Sequence, residues 1–389
     1  MKFAKMILKN WRNFRHAEMD FESSTYLIGA NASGKSNLLD VFRFLRTVAQ
    51  SDGGGLQRAL KDRGGLTRIR SLHARNDPEV RIEVVLRDDS GGQSISWRYV
   101  LKFRAEGKGQ QRTLITEERV EREGDPLLER PNAADRSDPE RLTQTHLEQI
   151  AANAAFRPLS EFFASTTYLH LVPQLLKHGD EISGRILQQD PFGQGLMQRI
   201  AQTPKPTREA RLRRIQQALT AAVPMFSNLR FSQDPVSGRW HLEANFAHWR
   251  EHGAWQREDQ FSDGTLRLIG LLWALQDGNG LLLLEEPELS LNDSIVEHIP
   301  LLMDRVLRER KKRSGSRQIL ISTHSAALLR NLVGKQTLLV QPGENGSIVR
   351  PPSVDEDGQI QNGLTPAEVL LPKTRPQNLE QLGLFQRVG

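Results

Sequence analysis

The chain has 389 residues, 38% of them hydrophobic and 26% charged, which suits one large domain with insertions or two to three domains with real cores. It contains no cysteine, which excludes disulfides, thiol nucleophiles and thiolate-bound zinc and fits a reducing compartment. Lysine and arginine total 53 against 47 acidic residues, and this net charge of +6 permits nucleic-acid binding without demanding it.

The start, MKFAKMILKNW, lacks the apolar stretch and cleavage site of a signal peptide. The longest apolar runs, LLWAL and LLLL, are too short to span a bilayer. A cytoplasmic location without a membrane partner is therefore expected. Residues 2–9 and 16–21 read as a strand pair, and 25–29 as a short buried strand. A helix is predicted from about Lys35 onward, followed by glycine-rich connections at 51–55 and 63–65. Segments 80–86, 95–103 and 112–121 suggest an antiparallel meander, and the charged, turn-rich stretch from about 124 to 145 suggests a mobile excursion. Helical patterns occupy roughly 139–165 and 206–222, and strand patterns occupy 229–233 and 240–246.

Strands at 281–285, 318–322 and 337–340 then alternate with helices, which predicts a parallel α/β-type sheet. The basic run 305–317 reads either as a phosphate contact or as the solvated end of a helix starting near Asp293. In the tail from 351, Thr365, Pro366 and Glu368 form a capping-box pattern for one short helix.

Three stretches carry chemistry. GANASGKS (29–36) matches G-x-x-x-x-G-K-[ST] between a predicted strand and a helix, the context a phosphate loop requires. Gly29 and Gly34 let the backbone curl around a β-phosphate, Lys35 reaches the β- and γ-phosphates, and Ser36 ligates Mg²⁺. LLLLEEPE (281–288) delivers Glu285 and Glu286 to the carboxyl end of a buried strand, where α/β sheets bind ligands. Strand alternation points the two apart, so Glu285 is read as a Mg²⁺ ligand, through water, and Glu286 as the general base. ISTHS (321–325) brings His324 to the same kind of edge as a γ-phosphate sensor.

FSDGTLRLIGLLWAL (261–275) places a polar elbow directly before an apolar helix. Ser262 or Asp263 would cap it, but Gly264 lowers helix propensity where a better helix former would fit. The order of motifs resolves the puzzle. Phosphate loop, elbow with helix, apolar-acidic strand and strand ending in histidine together resemble the ABC-type ATPase heads.

That resemblance implies an α/β P-loop NTPase of ABC type with a mixed sheet, an antiparallel β subdomain and a helical insertion. LKNWRNF (8–14), GANASGKSN, SDGTLR and EEPELSLN are similar to the RecF/SMC-like ATPases, and within them to stand-alone OLD-like, AAA_21-type AAA-family ATPases of bacterial defence systems. By resemblance, ATP is held by Arg12, Asn13, Gly29, Ala30, Asn31, Ala32, Ser33, Gly34, Lys35, Ser36 and Asn37. Ser262, Asp263, Gly264, Ser290 and Asn292 would meet the ATP of a second copy, making a homodimer with ATP sandwiched between phosphate loop and signature. Implied boundaries are 1–122 for the first part of the head, 123–226 for a mainly helical insertion, 227–350 for the second part and 351–389 for the tail.

The departures are informative. SDGT replaces the transporter form of the signature, Glu285 replaces the usual aspartate, and the Q-loop glutamine is open between Gln50 and Gln57. About 225 residues separate loop and signature without coiled-coil heptads, and no Toprim nuclease domain is expected within these residues. His248 and His252 stand four apart, a metal-chelating spacing on a helix, but Trp249 and Trp255 beside them favour packing. Two readings follow: an ATP-driven switch for a separately encoded effector, such as a Toprim nuclease, in anti-phage defence, and a RecF-like clamp that grips DNA. A non-hydrolysing scaffold and a phosphate-loop kinase rank below them.

Overall fold

Apolar alternation gives strands where the chain is β-branched, and capped amphipathic stretches give helices between them. The computed structural model describes residues 1–74, 77–89, 94–107, 112–182, 192–223, 225–246, 255–314, 316–332 and 334–374. The first elements are β1 (Lys2–Trp11), β2 (Phe14–Asp20), β3 (Ser24–Ile28), α1 (Lys35–Ala49), α2 (Leu56–Lys61) and α3 (Leu66–Ile69). Next come β4 (Val80–Asp88), β5 (Ile95–Ala105), β6 (Thr113–Arg122), β7 (Asp125–Arg130), α4 (Ala133–Ser137) and α5 (Arg157–Ala164). The middle holds β8 (Thr167–Leu169), α6 (Pro173–Ile182), α7 (Leu196–Gln202), α8 (Lys205–Ala222), β9 (Phe226–Gln233), β10 (Trp240–Phe246) and β11 (Trp255–Arg257). There follow α9 (Asp263–Gln276), β12 (Leu282–Glu285), α10 (Asp293–Val296), α11 (Ile299–Ser314), β13 (Ile319–Thr323) and α12 (Ala326–Arg330). The last are β14 (Gln336–Gln341), β15 (Ile348–Arg350), α13 (Val354–Gln361) and α14 (Pro366–Thr374).

The chain divides into two compact units, one of Met1–Thr166, Gln318–Ala326 and Val333–Gly389, the other of Thr167–Arg317 and Ala327–Leu332. In the first unit, β2-β1-β4-β5-β6-β7 form an antiparallel sheet. β3 lies between β13 and β14, parallel to both, and β15 runs antiparallel on β14, so this second sheet is mixed. Aromatic side chains join α1 to the antiparallel sheet: Phe42 meets Phe3 edge-on at 4.8 Å between ring centres, and Phe44 meets Trp11 at 5.1 Å. Such edge-to-face pairs contribute roughly 1 kcal/mol each beyond the area they bury.

In the second unit β12 pairs with β8 in parallel, and β11-β10-β9 form an antiparallel sheet. Its α9 is buried nearly all round, which explains its apolar sequence.

Several expectations change. The stretch 124–145, read as a mobile excursion, contains β7, α4 and a buried ion cluster. There Arg130 binds Glu118 at 2.9 Å and Asp135 at 2.9 Å, all three with side chains fully out of solvent. Charge density in sequence does not distinguish a solvated run from one whose charges pair internally. The basic run 305–317 is likewise not simply solvated, since Arg310 in α11 and Arg317 beyond it are buried. A helix does start at Asp293, as α10, but it ends at Val296, and the basic run belongs to α11, which starts at Ile299 with Pro300 in its first turn, where proline is tolerated. In the tail, the Thr365–Glu368 box caps α14 as expected, and a second box, Ser353 with Glu356, starts a further helix. The pair His248 and His252 lies outside the described residues.

Candidate functional site

The residues singled out from sequence fall into two groups, one in each unit. In the first unit β3 runs into Gly29 and α1 begins at Lys35. Gly29 is required by crowding: a Cβ there would stand 2.4 Å from the Val340 carbonyl oxygen and 2.5 Å from Ser33 Oγ. Gly34 is required twice, by its φ of +115° and because a Cβ would sit 2.1 Å from Asn13 Nδ2. Ala32 also takes a left-handed backbone, at φ +62°. Asn31, Ala32 and Ser36 are exposed, Ala30 is half-buried, and Ser33 and Lys35 are buried.

Lys35 curls over its own loop, donating from Nζ to the carbonyl oxygens of Gly29 (2.8 Å) and Ala30 (3.0 Å). The N-terminus of α1 has no side-chain cap and no acidic residue in its first turn, so its positive end faces the loop. This combination of lysine, curled backbone and helix dipole is a cradle for phosphate oxygens.

Three segments hold the cradle in shape. Asn13 Nδ2 donates to the Ser33 carbonyl oxygen at 3.2 Å and to Ser347 Oγ, and Asn37 Nδ2 donates to Asn13 Oδ1 at 2.9 Å. Ser347 Oγ donates in turn to the Ser33 carbonyl at 2.6 Å. Trp11 Nε1 donates to the Asn37 carbonyl at 2.9 Å. Asn13 and Asn37, expected from the sequence to hold ATP, here brace the loop, and Ser347, which does the same, was not expected, because it lies over three hundred residues away in a turn with no motif.

Arg12 is held differently. It takes φ +49° and binds Asp40 of α1 at 2.6 Å, beside the bidentate Arg63. Burial alone would raise the Asp40 carboxyl, but Arg63, Arg12 and Arg43 overcome it and hold that carboxyl below its ordinary value. His324 follows β13, whose last residue, Thr323, pairs with Ile28 immediately before the phosphate loop. The exposed imidazole therefore leaves the sheet at the edge where Gly29 begins. Of the two Q-loop candidates, Gln57 is engaged, donating to the carbonyls of Thr113 (3.1 Å) and Thr143 (2.8 Å).

In the second unit, Glu285 ends β12 and accepts a hydrogen bond from the Tyr168 hydroxyl of the neighbouring strand. His170 Nδ1 lies 3.3 Å from the Glu285 carbonyl oxygen. Glu286 is no longer in the strand and takes φ +45°, an uncommon backbone for a residue with a side chain. Strand alternation therefore does not set its direction; a left-handed turn does. Strained backbone of this kind costs about 1–3 kcal/mol and clusters at functional sites.

Ser262 is the N-cap of α9, its Oγ accepting from the Thr265 amide at 3.1 Å. Asp263 is bound to α6, accepting from Lys177 Nζ at 2.7 Å and Gln174 Nε2 at 2.9 Å. Gly264 packs against the turn that follows Glu286: a Cβ there would lie 3.1 Å from the Ser290 carbonyl oxygen. Ser290 has φ +63°, and Asn292 caps α10 by accepting from the Ser294 amide at 2.9 Å. The N-terminal turn of α9 and the turn at Ser290 are thus neighbours. Among the described residues no group of three or more His, Cys, Asp or Glu side chains has metal-binding geometry.

A phosphate loop on a mixed sheet, an antiparallel sheet beside it, and a capped signature helix packed on an acidic strand turn define an ABC-type ATPase head of the RecF/SMC class. Residues 24–330 match the family described as "AAA domain, putative AbiEii toxin, Type IV TA system", and the chain belongs to that family.

A curated relative, the DNA replication and repair protein RecF of Picosynechococcus sp., is 33% identical over 85 residues, which is 22% of this chain and 22% of that protein. The chain thus matches about a fifth of that relative's length. Among solved structures, an Smc head bound to the C-winged helix domain of ScpA aligns with a TM-score of 0.55 at 17% identity, covering 92% of this chain and 99% of that one. The Smc head with an extended coiled coil, bound to the C-terminal domain of ScpA, from Pyrococcus furiosus aligns with a TM-score of 0.51 at 16% identity, covering 93% and 98%. At these identities the likeness is one of fold. Among the described residues no helix is long and apolar enough to cross a membrane.

Proposed function

We propose that the chain binds and hydrolyses ATP, closes into a homodimer around it, and acts as a switch for a separately encoded effector, a Toprim-type nuclease, in anti-phage defence. The observation that carries the nucleotide reading is the cradle at Gly29–Ser36. Its glycines admit no side chain, its lysine already engages oxygen atoms, and its helix end carries no competing acid. In this reading Lys35 meets the β- and γ-phosphates, and Asn13, Asn37 and Ser347 keep the loop in shape. Ser36 and Glu285 would hold Mg²⁺, which supplies charge neutralisation of the phosphates. Glu286 takes the proton of the attacking water, and His324 contacts the γ-phosphate. Ser262, Gly264, Ser290 and Asn292 serve the nucleotide of the second copy.

The defence role rests on family membership and on the resemblance of SDGTLR and EEPELSLN to stand-alone heads of that kind. Its test is a pull-down of tagged Glu286→Gln protein from the native host with Mg²⁺ and ATP. A stoichiometric nuclease or other toxin is expected, and recovery without a protein partner would overturn the effector role.

The 33% identity to RecF favours a second reading, an ATP-dependent clamp on DNA. It predicts DNA binding by the isolated protein that requires ATP and weakens steeply with salt. Nuclease-protected DNA in the same pull-down would select this reading instead.

A further inference from the structure

At the far end of α9 from the Ser262 elbow lies a separate cleft of about 320 Å³ on α8, α9 and α11. Its walls carry three arginines, Arg211, Arg214 and Arg310, with Gln276 from α9 and Val306 from α11, and its rim is the exposed pair Pro206 and Thr207. Arg310 is more than nine-tenths buried. Its Nη2 donates to the Gly278 carbonyl (2.6 Å) and to Asn279 Oδ1 (2.7 Å), both neutral acceptors. Its Nε and Nη1 have no hydrogen-bond partner among the described residues.

The charge around it is answered in part. Asp277 pairs with Arg211 at 2.8 Å, and Arg214 Nε reaches the neutral amide of Gln276 at 2.7 Å. Behind Arg310 stands Arg317, also buried, whose guanidinium donates to the Gly280 carbonyl at 2.9 Å and to the carbonyls of Ala274 and Asp277. Burial, with Arg310 close by, lowers Arg317 to about 9, and burial with Arg211 lowers Arg310. Each shift reports cations gathered out of water with too little negative charge beside them.

A buried guanidinium with two unused donors at the wall of an open, arginine-lined cleft calls for an anion. Forked N–H donors match the oxygens of a phosphate group bidentately, and the volume lies at the small end of the range for small-molecule pockets. We propose that this cleft is a second ligand site, distinct from the phosphate loop, that takes a small phosphate-bearing anion. Gln276 and Asp277 end α9, so the ligand would grip the opposite end of the helix whose N-terminus carries Ser262 and Gly264. The site does not depend on the nucleotide reading of the phosphate loop.

Isothermal titration of inorganic pyrophosphate into the full-length Lys35→Ala variant tests this, because that background weakens the phosphate loop and leaves the cleft intact. Binding is expected to persist there and to weaken by at least about tenfold on adding Arg214→Gln, the loss expected for one charge-assisted hydrogen bond. Adding Asp277→Asn instead is expected to tighten binding, since it releases Arg211. Arg214 is partly exposed, so its variant should melt as the parent does without ligand. Loss of all pyrophosphate binding in Lys35→Ala, or unchanged affinity in Lys35→Ala with Arg214→Gln, would overturn the site.

Discussion

Asn13 and Ser33 are joined by a hydrogen bond of 3.2 Å from the asparagine amide to the serine carbonyl, across twenty residues of sequence. The bond ties the turn between β1 and β2 to the phosphate loop, whereas the adjacent Arg12 ties the same turn to Asp40 of α1. Two neighbours therefore do different work. Asn13→Ala is expected to weaken ATP binding by about tenfold, because the loop loses its brace and the Asn37 amide its acceptor. Arg12→Ala is expected to lower stability by about 1 kcal/mol with a smaller effect on affinity, since Arg63 still holds Asp40. Nucleotide titration and thermal melting of the two variants separate these outcomes; equal affinity loss in both would contradict the division.

A second relationship predicts an unusual pH profile. Burial raises the Glu148 carboxyl to about 7, against hydrogen bonds from the Leu56 and Thr145 amides. Burial, aided by Arg130, lowers the nearby His146 to about 4. Between its ordinary 4.5 and about 7, folded Glu148 keeps a proton that the unfolded chain has lost, so its contribution falls as pH rises. Between about 4 and its ordinary 6.5, folded His146 refuses a proton that the unfolded chain accepts, so its contribution falls as pH drops. The two oppose each other from about pH 4.5 to 6.5. Glu148→Gln is expected to leave a protein that loses about 1–3 kcal/mol on acidification from pH 7 to 5, and His146→Asn one that loses stability as pH rises. Denaturant melts across that range check both; a Glu148→Gln profile matching the parent would be the contrary result.

The elbow before α9 makes its own prediction. Lys177 and Gln174 hold Asp263, so α6 positions the signature turn. Lys177→Met is expected to reduce ATP-linked dimer formation several-fold while leaving ATP binding to the monomer unchanged, because a half-exposed ion pair carries about 1 kcal/mol. Concentration-dependent sedimentation with ATP reads the first quantity and nucleotide titration the second.

Tyr168 offers a sharper probe of the acidic strand. Its hydroxyl donates to Glu285, and removing it in Tyr168→Phe leaves the carboxylate less firmly oriented. The Mg²⁺ concentration needed for half-maximal ATP turnover is expected to rise about tenfold, as for other residues that orient a metal-binding carboxylate. An unchanged Mg²⁺ requirement would remove Glu285 from metal binding.

Much of the fold was legible because its signals are local. The Gly34-Lys35-Ser36 run between strand and helix, the four leucines before Glu285 and the Thr365–Glu368 box each name their structure within a few residues. What escaped was non-local. Ser347 braces Ser33 from a turn over three hundred residues away, and Tyr168 meets Glu285 only because two distant segments pair as parallel strands. The left-handed backbone of Glu286 breaks the alternation rule just where the strand stops. Charge misled as well, since Arg130, Arg310 and Arg317 look solvent-bound in sequence and lie buried.

Sedimentation velocity of Glu286→Gln with Mg²⁺, with and without ATP, tests the ATP-sandwiched pair most directly. Slowed hydrolysis should trap the closed state, so a species of twice the 44.1 kDa chain mass is expected only when ATP is present. That species should vanish when Ser262→Arg is added, because the bulky side chain blocks the signature face. A monomer under both conditions, or a dimer indifferent to ATP and to Ser262→Arg, would contradict it.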